Sequence, residues 1–155
     1  MDSLQRFGEY AADFEKTFQD DDWTRLHAYF HGDASYIVLG SSFDCEILGR
    51  DAVLSALRKA LDGFDRRFDR REIGPNGEPV TDATRVISSG ICRYEKEGLD
   101  PLTFAVSETA EFDNSGRIFR LRDDYPAGQN EMSQWFEKIG RSLTQATSDT
   151  FAPAS

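Results

Sequence analysis

The chain has only two cysteines, two histidines and five prolines among its 155 residues. Cys45 and Cys92 are too few for a disulfide framework. With His27 and His31 as the sole histidines, no zinc-type spacing arises either, so neither a metal nor a cofactor is expected. Each cysteine reads as a small buried hydrophobe. Positive charge is scarce as well: 18 Lys and Arg stand against 28 Asp and Glu, a formal net charge of −10. Such a surface repels phosphate backbones and anionic lipid, which argues against nucleic acid and membranes as partners. No apolar run approaches the roughly 18 residues that a membrane-spanning helix needs, and the first residues are neither basic nor followed by an apolar stretch. A soluble, cytoplasmic protein is expected. Internal repeats and low-complexity tracts are missing too.

Aromatic residues are plentiful, with twelve Phe, five Tyr and two Trp. A single domain of this size buries about 70% of its extended-chain surface, enough for one large core or an aromatic-walled cavity. By elimination the partner is a small molecule or another protein.

The most informative stretch runs from Pro101 to Tyr125 and has the pattern of a long antiparallel hairpin. Phe104, Val106, Glu108, Ala110 and Phe112 alternate with Ala105, Ser107, Thr109 and Glu111, the period of two that gives a strand one buried face. Asp113-Asn114-Ser115-Gly116 supplies the turn. Beyond it, Phe119, Leu121, Asp123 and Tyr125 share a face against Arg120, Arg122 and Asp124. Glu108 and Asp123 are thus acids on faces otherwise apolar. Burying a carboxylate is costly unless it is paired, hydrogen-bonded or protonated, which makes the two candidate functional groups. Pairing of Glu108 with Arg120 or Arg122, and Asp123 capping a strand end, is the structural alternative.

Leu4, Phe7, Ala11, Phe14 and Phe18 recur at helical spacing, so residues 3–19 form an amphipathic helix capped by Asp2 or Ser3 and ended by three aspartates. Asp22 caps a second helix over residues 23–30. A strand over 34–39, a loop over 40–49 and a helix over 50–63 follow, the last with Val53, Leu57, Leu61 and Phe64 as its inner stripe and Gly63 as its terminator. Residues 66–73 read as a strand whose arginines form a solvated face laced with Asp65, Asp69 and Glu72, with an anion site as the alternative. A loop at 75–79 and a strand over 81–95 complete the run into the hairpin. Met132, Phe136, Ile139 and Leu143 mark a last helix, and residues 144–155 a flexible tail beyond a domain of residues 1–143. Helices gathered on one face of a mainly antiparallel sheet make an α+β architecture, in which a strongly curved sheet wraps the N-terminal helices and leaves a conical pocket.

This order resembles the nuclear-transport-factor-two-like superfamily, in particular its SnoaL-like and ketosteroid-isomerase-like branches, which share a cystatin-like fold. The resemblance rests on the first helix running into Gln19-Asp20-Asp21-Asp22-Trp23 and on the run from Leu26 to Ala34. It rests also on Leu48-Gly49-Arg50-Asp51-Ala52-Val53 and on Ser115 to Ile118 before Leu121-Arg122-Asp123-Asp124-Tyr125. It spans roughly residues 3 to 125, and it implies fold more than function, since this fold hosts enzymes and non-enzymes.

In the isomerase-like branch the resemblance places the general base at Val38 and the tyrosine donor at Phe14, with Tyr10 one helical turn away. Only the second donor, Glu108, keeps its residue type, which speaks against isomerisation by that route. The limonene-epoxide-hydrolase branch implies an Asp–Arg–Asp set; Leu121-Arg122-Asp123 resembles one limb, and residues 88–92 lack the other. SnoaL-like cyclases imply a working Asp near the end of the last strand, where Asp123 stands. The resulting expectation is a small hydrophobic molecule held in the pocket, with Asp123 as base and Glu108 as acid or oxyanion donor in lyase, cyclase or isomerase chemistry on a carbonyl compound. Phe14, Trp23, Tyr36, Val38, Leu57, Phe104, Val106, Leu121 and Tyr125 are the expected ligand-binding residues, with Phe43 and Tyr94 as further wall candidates. A non-catalytic ligand binder, or a module that dimerises through the outer sheet face bearing Ile87 and Ile91, is the alternative.

Overall fold

The computed structural model describes residues 1–40, 44–126 and 131–138. The expected Ile139, Leu143, Phe43 and C-terminal tail lie outside the described residues, as does the side chain of Phe136. Helix α1, Ser3–Asp20, starts on Asp2, whose carboxylate accepts from the amides of Leu4 and Gln5 at 3.0 and 3.1 Å. It ends where Asp21 turns left-handed at φ 58°, a conformation that a short polar side chain tolerates. Asp21 is held there by Trp23 Nε1 at 2.8 Å and by Arg58 at 2.8 Å.

Helix α2 covers only Thr24–His27, and strand β1 begins already at Phe30 and runs to Leu39. The chain expected to stay helical to residue 30 is captured by the sheet, because Phe30 pairs with Ile118 and the Ile118 amide donates to the Tyr29 carbonyl at 2.7 Å. The expected loop at 40–49 contains a second short strand, β2, Cys45–Leu48, antiparallel to β1. Helix α3, Arg50–Gly63, buries Val53, Leu57 and Leu61 as its spacing demanded, but it continues through Gly63 and is capped by Phe64.

A 3₁₀ turn, Asp65–Arg67, precedes β3, Arg70–Pro75. The remaining strands are β4, Val80–Thr81, β5, Arg85–Glu95, β6, Leu102–Phe112, and β7, Ile118–Asp124. Helix α4 is Glu131–Lys138. The sheet order is β2-β1-β7-β6-β5-β3 with β4 on β5, and all pairings are antiparallel except β1 with β7.

The hairpin carries a one-residue bulge. Phe112 faces Ile118 while Glu111 faces Arg120, so Phe119 is the extra residue and is turned outward. The smooth alternation through Phe119 therefore breaks. Ile118 takes the inward place, and from Leu121 onward the expected faces hold. The α+β architecture is otherwise that expected, with helices on the inner face of a mainly antiparallel sheet.

The core has two lobes. One, around Phe30, Val38, Val53, Phe112 and Leu121, fills the space between α1, α3 and the β1 end of the sheet. The other, around Phe64, Tyr94, Phe104, Met132 and Trp135, joins α4 to the β5–β6 end. No helix among the described residues is long and apolar enough to cross a membrane.

Candidate active site

Between the two lobes lies a cavity of about 410 Å³. Helix α1 contributes Phe7, Tyr10 and Phe14; α3 contributes Leu57 and Leu61; Phe104, Val106 and Glu108 of β6, with Asp123 and Tyr125 at the end of β7, form the facing wall. This size matches sites for small organic molecules, and the lining is predominantly apolar with a few convergent polar groups.

Glu108 and Asp123 are directly opposed across β6 and β7, which brings their Cβ atoms to roughly 5 Å. Both point into the cavity, and a hydrogen bond joins their carboxyls. Tyr36 of β1 donates its hydroxyl to Asp123 Oδ2. Burial, followed by the negative charge on Asp123, raises Glu108 well above the ordinary glutamate range. Burial also raises Asp123, but there the hydrogen bonds from Tyr36 and Glu108 pull the other way. Glu108 is raised the more strongly, so the pair as a unit retains a proton at a pH where separate carboxyls have lost theirs. The pair is not neutralised by Arg120 or Arg122, which lie on the outer face and bond to Glu111 and Asp124 at 2.7 Å each.

Tyrosines surround the pair. Tyr36, Tyr10 and Tyr125 are all held protonated, chiefly by burial; after burial the largest effect is the charge of Asp123 on Tyr36 and Tyr125, and that of Glu108 on Tyr10. Tyr10 stands one helical turn from the position at which the resemblance places a tyrosine. It lines the cavity because α1 lies across the sheet with Phe7, Tyr10 and Phe14 on one stripe.

Of the expected ligand-binding residues, the cavity wall brings together Phe14, Tyr36, Leu57, Phe104, Val106 and Tyr125. Trp23, Val38 and Leu121 stand elsewhere. Val38 and Leu121 are fully buried in the first core lobe, where close packing leaves no cavity surface. Trp23 stacks edge-on behind Phe14 at 6.3 Å. Cys92 reaches the wall, but burial pushes its thiol up to about 12, so it is a packing residue and no thiolate nucleophile.

A second polar group on the wall went unrecognised. Arg71, expected on a solvated strand face, is buried: its side chain is 9% exposed and that of Asp65 12%. Arg71 Nε donates to Asp65 Oδ2 at 2.6 Å and Nη1 to both oxygens of Glu15, at 2.8 and 3.1 Å. Tyr94 donates to the same Asp65 oxygen at 3.0 Å. The alternation of Arg70 and Arg71 held the only clue, since one of two adjacent strand residues must face inward.

No protein-family model and no curated protein matches the sequence. Solved structures match the fold. TerC, co-crystallised with polyporic acid, has a TM-score of 0.64 at 14% identity, with 87% of this chain and 98% of that one covered. An NTF2-like protein of unknown function from Burkholderia pseudomallei gives 0.62 at 18% identity, covering 87% and 97%. A protein from Shewanella denitrificans described as a SnoaL-like polyketide cyclase gives 0.61 at 14% identity, covering 84% and 96%. The chain thus has the NTF2-like, SnoaL-like fold that its motifs implied. At these identities the likeness extends to the fold and not to an activity.

Proposed function

We propose that the cavity binds a small, mainly apolar carbonyl compound and that Asp123 and Glu108 move a proton at the carbon next to that carbonyl. The observation that carries this is the carboxyl pair itself, two acids directly opposed on neighbouring strands, both raised chiefly by burial and facing a mainly apolar cavity. Asp123 is the base. Glu108 holds a proton to donate to the carbonyl oxygen as negative charge develops there, and Tyr36 steadies Asp123 without neutralising it. Phe14, Leu57, Phe104, Val106 and Tyr125 supply the ligand-facing wall. The solved TerC structure with polyporic acid supports the choice of a cyclic organic ligand by analogy of fold.

The test is deuterium exchange at the α-carbon of 2-tetralone in D₂O, followed by proton NMR. The wild-type chain accelerates exchange, and Asp123→Asn lowers the rate by about 100-fold or more. Exchange at the buffer rate, or exchange that survives Asp123→Asn, removes the proton chemistry.

Non-catalytic binding is the second reading, favoured by the two hydrogen bonds that already occupy Asp123. It is distinguished by tetralone binding without exchange. Either reading admits a homodimer through the outer sheet face, supported by Ile91, which is 37% exposed there. Light scattering that returns only monomer at high concentration removes the dimer.

A further inference from the structure

Resting on the cavity as a ligand site, we infer that Arg71 and its partners form a second binding station, which takes an anionic oxygen, a carboxylate above all, at the far end of the ligand. Three observations support it. Arg71 lines the same cavity as Glu108 and Asp123, and Asp65 is near enough for its charge to act on Asp123 and Tyr125. A buried ion pair contributes little net stability compared with an apolar pair of the same volume, so folding alone does not account for three charges at a cavity wall. The guanidinium is also only partly used. Nε and Nη1 are engaged by Asp65 and Glu15, whereas Nη2 has no hydrogen-bond partner among the described residues. Arg50 Nε is the one buried side-chain nitrogen or oxygen among the described residues left without a partner, so Nη2 of Arg71 is not fully sealed within the protein.

The two acids on Arg71 differ in kind. Asp65 is largely buried, its side chain 12% exposed, is held also by Tyr94, and keeps the guanidinium oriented. Glu15 is half exposed on α1 at the cavity rim, as are Ile73 and Pro75 beside it. A ligand carboxylate entering past that rim replaces Glu15 on Nη1 and adds Nη2, making the two-pronged contact for which a guanidinium is shaped. Glu15 returns to water at little cost because it is already half in it. The ligand class is therefore a cyclic or aromatic carbonyl compound with a carboxylate remote from the reacting carbon.

Calorimetric titration of the full chain with 2-naphthoate and with the neutral 2-naphthamide tests this. The wild type binds naphthoate about tenfold tighter, the worth of one charge-assisted hydrogen bond. Arg71→Gln abolishes the preference, and Glu15→Gln enlarges it by removing the competing carboxylate. Equal affinities in the wild type, or a preference that survives Arg71→Gln, overturns the inference and leaves the ligand cavity standing. Should Arg71→Gln not fold, the exposed Glu15→Gln decides, and an unchanged preference in it overturns the inference. Failure of both probes to bind overturns this inference together with the ligand reading. A naphthoate preference with no tetralone exchange supports this station and removes only the proton chemistry.

Discussion

Glu108 is held well above the ordinary glutamate range, first by burial and then by the charge of Asp123. Its carboxyl keeps a proton that the unfolded chain gives up near pH 4.5, so unfolding releases that proton once the pH exceeds 4.5. More protons are then bound in the folded than in the unfolded state, and stability falls with rising pH until the folded Glu108 itself ionises. Glu108→Gln abolishes this slope. Thermal unfolding of the two proteins between pH 5 and 8 is expected to show the wild-type midpoint falling relative to the variant; parallel curves contradict the protonated assignment. At this scale the sequence was informative where alternation was unbroken. Asp123 and Glu108 stood out as acids on apolar faces because period two leaves no freedom once one neighbour is inside. Arg71 was hidden, since its burial depends on Asp65 six positions earlier and on Glu15 from α1, neither of which local pattern connects to it.

Among the elements, the junction of β1 with the end of β7 matters most to the site. Gly40 follows β1 at φ +79°, and a Cβ there meets the Tyr125 carbonyl oxygen at 2.1 Å. The Tyr125 amide is held in place by the Leu39 carbonyl at 2.9 Å. Gly40→Ala is therefore expected to cost roughly 1–3 kcal/mol through backbone strain alone, with displacement of Tyr125 added, as read from urea unfolding. Because Tyr125 lines the cavity, tetralone binding weakens with it. Elements with strong local signals were legible in advance: α1 between Asp2 and the aspartates, α3 from its stripe, and β6 from its alternation. The bulge at Phe119 and the short β2 were not. Each exists to satisfy pairing with a distant strand, and the same residues in isolation have no reason to adopt it.

For the molecule as a whole, the cavity is the gap left between two core lobes, and α4 closes one of them. Trp135 is 7% exposed and packs on Phe68 at a ring separation of 4.7 Å. Trp135→Ala is expected to cost about 3–5 kcal/mol, measured by denaturant titration, with the loss falling on the lobe around Tyr94 and Phe104. An unchanged midpoint would mean that α4 contributes nothing to that lobe. The local order of residues was enough to determine an α+β chain with helices on one sheet face and two acids turned inward, because helical and strand periodicities are set by neighbours a few positions apart. The hairpin pattern already set those acids on neighbouring strands facing one cavity; the tertiary structure alone decided that Tyr36 and Tyr10 join them and that Arg71 with Asp65 sits on the same wall. The Tyr36–Asp123 and Arg71–Glu15 contacts link residues 87 and 56 positions apart, and the strand register and helix placement that bring them together come from packing the whole chain at once.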